Sequence, residues 1–192
     1  FVIIQPMIRF ENVTTIHKGA NNPSLIEVDL EIKEGEFISI VGHSGAGKTT
    51  FTRLLLCEES PTEGQITFQG HDIHKLHGKK LTKYRRGIGT VFQDFRLLPN
   101  KTTYENIAFA METAGKTDAE IAEDVPHVLD LVDMADKASH FPRQLSGGEK
   151  QRLSIARAII NNPAVVIADE PTGNLDPVNT FEVIQILKKI ND

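Results

Sequence analysis

The chain has one cysteine among its 192 residues, no tryptophan and only 6% aromatic residues. A single thiol, Cys57, closes no internal disulfide, and its place on the apolar side of a helix predicts a buried thiol in a reducing compartment. No apolar run approaches the roughly 18–20 residues of a membrane-spanning helix, and no signal-peptide pattern is seen. Any membrane role must come through a partner. Positive charge is not in excess either: 21 basic residues stand against 26 acidic, for a net charge of −5. A general nucleic-acid binder, which displaces counterions with a basic face, is therefore excluded. What is present is length for one domain with a proper core and room for a subdomain. Phe1 to Pro6 precede Met7 and read as a cloning remnant ahead of a native start.

The organising stretch is Gly42-His43-Ser44-Gly45-Ala46-Gly47-Lys48-Thr49-Thr50. It has the Gly-x4-Gly-Lys-Thr spacing of a P-loop. The apolar run Phe37–Val41 before it reads as a buried strand, and Phe51, Leu54 and Leu55 after it recur at helical spacing. A strand, a glycine-rich turn and a helix start suit a triphosphate. Glycines let backbone N–H groups close around phosphate oxygens, and the helix end adds unpaired donors. Lys48 is expected at the β- and γ-phosphates, and the Thr49 hydroxyl on Mg²⁺.

Ile8 and Phe10, then Ile26, Val28, Leu30 and Ile32, alternate with charged residues, the pattern of antiparallel strands with one wet face. Gln65–Phe68 is another short strand. His71, His74 and His77 are spaced by three, but Gly78 and the lysines beyond them mark an exposed turn rather than a metal site. The basic cluster Lys79, Lys80, Lys83, Arg85 and Arg86 reads as a solvated face. Ile88–Phe92 is a strand that delivers Gln93 at its end.

From Thr102 to Lys137 the pattern is helical, with a capping box at Thr117 and Glu120 and an apolar stripe through Ile121, Val125, Val128, Leu129 and Val132. Pro126 is expected to kink or restart this helix. Ser146-Gly147-Gly148-Glu149 is a second capping box opening a helix, and its bare glycines make a second anion site, distant in sequence from the first. Ala164–Ala168 reads as a fully buried parallel strand ending in Asp169-Glu170. Two carboxylates at such a tip are costly as packing, and ligand sites in open α/β sheets lie at strand ends. Beside a P-loop, Asp169 reads as the Mg²⁺-side acid and Glu170 as the group that orients or deprotonates the attacking water.

These motifs, in this order, resemble the ABC-type ATPase subunits: the P-loop, Gln93 in VFQD, LSGGEKQR, the VVIADE strand end and the NLD turn. The resemblance runs from about Met7 to Asp192 and is nearest to cell-division ATPases of the FtsE type, carried by MIRFENV, GHSGAGKTT, the Cys57 helix, GHDI, FQDFRLL and HFPRQLSGGE. It implies an α/β fold: a P-loop NTPase core with a mixed sheet, an N-terminal antiparallel β subdomain, and an α-helical signature subdomain over about residues 100–150. It implies ATP and Mg²⁺ as cofactors, with Thr49, Gln93 and Asp169 around the metal. It also implies a head-to-tail homodimer in the ATP-bound state. There Ser146, Gly147 and Gly148 of one subunit would close on the other's γ-phosphate, with Asp176 at the interface.

Gln93 would couple the nucleotide to a permease-like membrane partner of the FtsX type, placing the chain in the cytoplasm, on the inner face of the membrane, with control of wall hydrolases as the output. Two departures stand out. His17 occupies the place where the family usually stacks an aromatic ring, often tyrosine, on adenine. The chain also stops at Asp192, before the family's switch histidine, so slow hydrolysis is expected. ATPases of lipoprotein release and macrolide export share ADEPTGNLD and are the nearest alternatives; a nucleotide-gated, non-catalytic division scaffold is the alternative of another class. DNA-maintenance ATPases of the same superfamily insert a long coiled coil between P-loop and signature, which this chain lacks.

Overall fold

The computed structural model describes residues 7–19 and 22–191, in two compact units that divide at Arg85 and Arg86. Phe1 to Pro6, read above as a cloning remnant, lie outside the described residues.

In the first unit, β1 (Ile8–Thr15) is central and pairs antiparallel with β2 (Leu25–Ile32) and β3 (Glu63–Phe68). The two-residue β4 (His71–Asp72) extends the sheet, giving the order β2-β1-β3-β4. Alternation explains the pairing: Ile8, Phe10 and Val13 of β1 are buried while Arg9 stays in water. Against that face packs α1 (Lys48–Leu55), with Phe51 stacked on Phe10 at 4.5 Å between ring centroids and 9° between planes. The helix α2 (Gly78–Arg86) buries only Tyr84, whose hydroxyl donates to the Leu55 carbonyl at 2.7 Å. Lys79, Lys80 and Lys83 are exposed, as a solvated face requires, while Arg85 donates to the carbonyls of Leu56 and Cys57, each at 2.9 Å.

In the second unit, β5 (Ile88–Val91) and β6 (Val165–Ala168) form a parallel pair. Helices α3 (Thr103–Ala114), α4 (Asp118–Leu131) and α5 (Gly147–Ile159) pack beside it, followed by α6 (Pro177–Asn191). Their shared core includes Ile107, Met111, Val125, Leu129, Leu153 and Ile155. Capping boxes open α3, α4 and α5: Thr102 with Glu105, Thr117 with Glu120 and Ser146 with Glu149. Each supplies side-chain partners for backbone groups that a helix start leaves orphaned.

Four expectations are corrected. Phe37–Val41 forms no ladder among the described residues, and Phe37, Ile38, Ile40 and Val41 are exposed. An apolar run becomes a strand only where a neighbour offers hydrogen bonds, and no described strand pairs with this one. The strand β6 is half-buried rather than fully buried, because β5 is its sole ladder partner among the described residues. Pro126 leaves α4 unbroken: residues 122 and 126 both face water, so solvent can serve the carbonyl that loses its donor. Cys57 lies just past the end of α1, half-buried with φ of 52°, not on the helix's apolar side.

Candidate nucleotide-binding site

The P-loop residues sit in the first unit. Gly47 caps α1 in the left-handed region (φ 88°), and a β-carbon there would lie 2.5 Å from the Ser24 carbonyl, so only glycine fits. The start of α1 differs from those of α3, α4 and α5 in having no side-chain cap and no acidic residue in its first turn. Its N–H donors thus have no carboxylate of their own, and the donor set fits an external anion. The Lys48 ammonium donates to the carbonyls of Gly42 at 2.8 Å and His43 at 3.1 Å, which folds the cation back over the loop. His43, Ser44, Gly45 and Ala46 form the exposed turn, closed by a bond from Ala46 N–H to the His43 carbonyl at 3.1 Å. Thr49 begins the helix beside Lys48. His17 lies against the same helix start: its Nε2 is 3.2 Å from Thr50 Oγ1 and its Nδ1 is 3.3 Å from Glu59 Oε2.

The second unit gathers the other residues at one sheet edge. Val91 stands level with Ala168 in the parallel register, and Asp169 N–H donates to the Val91 carbonyl at 3.0 Å. Gln93 and the pair Asp169-Glu170 therefore leave the sheet at the same carboxyl edge. Below Gln93 runs the turn after the acids. Asn174 Nδ2 donates to the Gln93 carbonyl at 3.2 Å, and a β-carbon on Gly173 would come within 2.7 Å of Gln93 Nε2. Glu170 has φ of 45°, a left-handed conformation uncommon for a non-glycine residue, and its side chain is exposed.

Ser146 accepts from Glu149 N–H at 3.2 Å, and Ser146 N–H donates to Glu149 Oε2 at 2.7 Å. The bond from the Ser146 backbone holds the Glu149 carboxyl below its ordinary pKa. Gly147 and Gly148 follow without side chains. Asp176 caps α6, accepting from the N–H groups of Val178 at 2.9 Å and Asn179 at 3.1 Å, which lowers its pKa as well. Asn179 donates to Asp176, a cap that the Asp-x-x-Asn spacing could have suggested, and its side chain fills the space beside Gly148. Arg157 is the other residue that motif reading passed over.

A family model for ABC transporters matches residues 25–173. This chain belongs to the ABC transporter family. Within that family it is 53% identical over 165 residues to the cell division ATP-binding protein FtsE of Bacillus subtilis, covering 86% of this chain and 72% of that one. It is 47% identical over 185 residues to FtsE of Mycobacterium tuberculosis, covering 96% and 80%. A solved dimeric post-hydrolysis state of the ATP-binding cassette MJ0796, bound to ADP and Pi, superposes with a TM-score of 0.84 at 38% identity, covering 97% of this chain and 83% of that one. Family membership also bears out the α/β ABC fold: antiparallel pairing in one unit and parallel pairing in the other are the strand relationships expected of it.

Proposed function

We propose that this chain is the ATP-hydrolysing subunit of a cell-division complex of the FtsE type, acting on a membrane partner that resembles FtsX. As an ABC family ATPase it binds ATP; the 53% identity to a named FtsE is what carries the division role. The chemistry rests on Gln93, Asp169 and Glu170 sharing the carboxyl edge of β5 and β6.

Gly42 to Thr50 bind the phosphates through backbone donors, with Lys48 supplying positive charge. Thr49, Gln93 and Asp169 are the residues to hold Mg²⁺, whose contribution when bound is to neutralise phosphate charge. Glu170 orients the attacking water and accepts its proton. His17 is the residue for the adenine face. Ser146, Gly147 and Gly148 serve the nucleotide of a second subunit in a head-to-tail dimer, with Asp176 at the interface. None of the described helices is long and apolar enough to cross a membrane, so attachment at the cytoplasmic face runs through the partner.

The test is steady-state ATP hydrolysis against protein concentration, with Lys48→Ala and Glu170→Gln beside the wild type. Turnover per subunit is expected to rise with concentration and to vanish in Lys48→Ala. Glu170→Gln should lower kcat by at least about 100-fold, the scale of a lost general base, while ATP still binds. A division phenotype rescued equally well by Glu170→Gln would instead favour the non-catalytic scaffold.

A further inference from the structure

We propose that Arg157 is a positioning residue that holds the segment after Gln93 in its left-handed shape and ties it to the signature helix. The segment turns sharply: Phe95 and Arg96 are consecutive residues with φ of 61° and 48°. Non-glycine residues adopt that backbone conformation uncommonly and mostly singly, so two in succession need an external hold. Arg157 supplies it. One terminal nitrogen donates to the Arg96 carbonyl at 2.6 Å and the other to the Phe95 carbonyl at 2.8 Å. Two parallel donors on one rigid plane match two neighbouring carbonyls, a geometry that the point charge of lysine cannot reproduce.

The hold is not explained as an ion pair. Arg157 is partly buried, and burial is the sole influence resolved on its ionisation, with no carboxylate acting on it. Keeping a desolvated cation for two carbonyls is costly unless their placement matters. Arg96 adds to the arrangement by lying over the Phe92 ring, 3.8 Å from its centroid. Ser146 caps the start of α5 and Arg157 lies in its last turn. One rigid helix thus spans about 16 Å from the signature to the Gln93 loop, at 1.5 Å per residue. A shift of the signature helix would move the guanidinium and with it the backbone that follows Gln93.

The link to turnover rests on the ATPase reading above, whereas the link to loop order does not. The experiment is hydrogen exchange and ATPase kinetics on the whole chain with Arg157→Lys. Arg96 N–H bonds to the Asp94 carbonyl at 2.7 Å and Phe95 N–H to the Phe92 carbonyl at 3.3 Å, so both amides report the loop. Their exchange is expected to quicken by about tenfold while α5 amides stay within about twofold of wild type. The kcat should fall by about tenfold with KM for ATP changed by less than about twofold. Unchanged loop exchange, α5 opening equally, or failure of the variant to fold would each overturn the positioning role. A loosened loop with unchanged kcat would overturn the coupling. Absence of turnover in the wild type sinks the ATPase reading, and the exchange result still decides the role of Arg157 in the loop.

Discussion

The side chain of Asn179 fills the space into which a β-carbon on Gly148 would project. Asn179 is held there by Asp176, which accepts from both its backbone and side-chain nitrogens. The second signature glycine thus packs against a side chain that the cap of α6 holds in place, within a single unit.

Gly148→Ala is therefore expected to destabilise the chain by about 1–3 kcal/mol, the usual range for overpacking. Urea unfolding of the single variants and of Gly148→Ala/Asn179→Ala tests the cause. Removing the asparagine amide should recover part of the loss, with a coupling energy of at least about 0.5 kcal/mol. Strictly additive losses would place the damage elsewhere.

His17 is pinned between Thr50 and Glu59, so its ring is fixed beside the start of α1. If that ring is the adenine platform, His17→Tyr should tighten ATP by about threefold through its larger π face. GTP serves as the comparison. Equal effects on both nucleotides, or none, in equilibrium titrations would remove His17 from base recognition.

Cys57 is half-buried, its thiol 3.5 Å from the Ile73 carbonyl. Burial pushes its pKa from 9.0 to about 11, with Arg85 opposing and Asp72 adding to the rise. The thiol therefore stays protonated at pH 8, and the thiolate is the nucleophile. Iodoacetamide should label the folded chain at least about tenfold more slowly than the urea-unfolded chain. Equal rates would show that the thiol is not held by the fold.

Glu120 closes the capping box of α4, accepting from Lys116 Nζ at 2.6 Å and from Thr117 N–H at 2.9 Å. The Lys116 ammonium first, then the Thr117 backbone, draws its carboxyl from an ordinary 4.5 to about 2. A depressed carboxyl stabilises the fold above the unfolded value, and that contribution fades as pH falls through the folded one. The window is thus between about 4.5 and about 2. Because the pair is exposed, the effect is local and salt-sensitive. An NMR titration of the Glu120 carboxyl should show a midpoint well below 4.5 that moves up with added salt.

Much of this arrangement was legible in local residue order. Thr117 with Glu120 and Ser146 with Glu149 announced two helix starts, because a capping box is formed by residues three apart. The strands around Phe10 and Leu30 followed from period-two alternation, and the P-loop and signature from fixed spacings. Pro126 misled, since a proline's effect depends on whether the freed carbonyl reaches water, which residue order does not state. Phe37–Val41 misled for a related reason: an apolar run shows that a segment could be buried, not which neighbour pairs with it.

Sequence alone determined the family, the P-loop spacing and the acids at the strand tip. Each depends on contiguous residues whose chemistry is set by spacing along the backbone. Tertiary structure decided which distant residues meet. The parallel register of β5 and β6 brought Gln93 to the same sheet edge as Asp169, and packing placed Asn179 over Gly148 and Arg157 under Phe95. Those contacts span 31 to 76 positions, and no local propensity encodes a hydrogen bond between partners that only the closed fold makes neighbours.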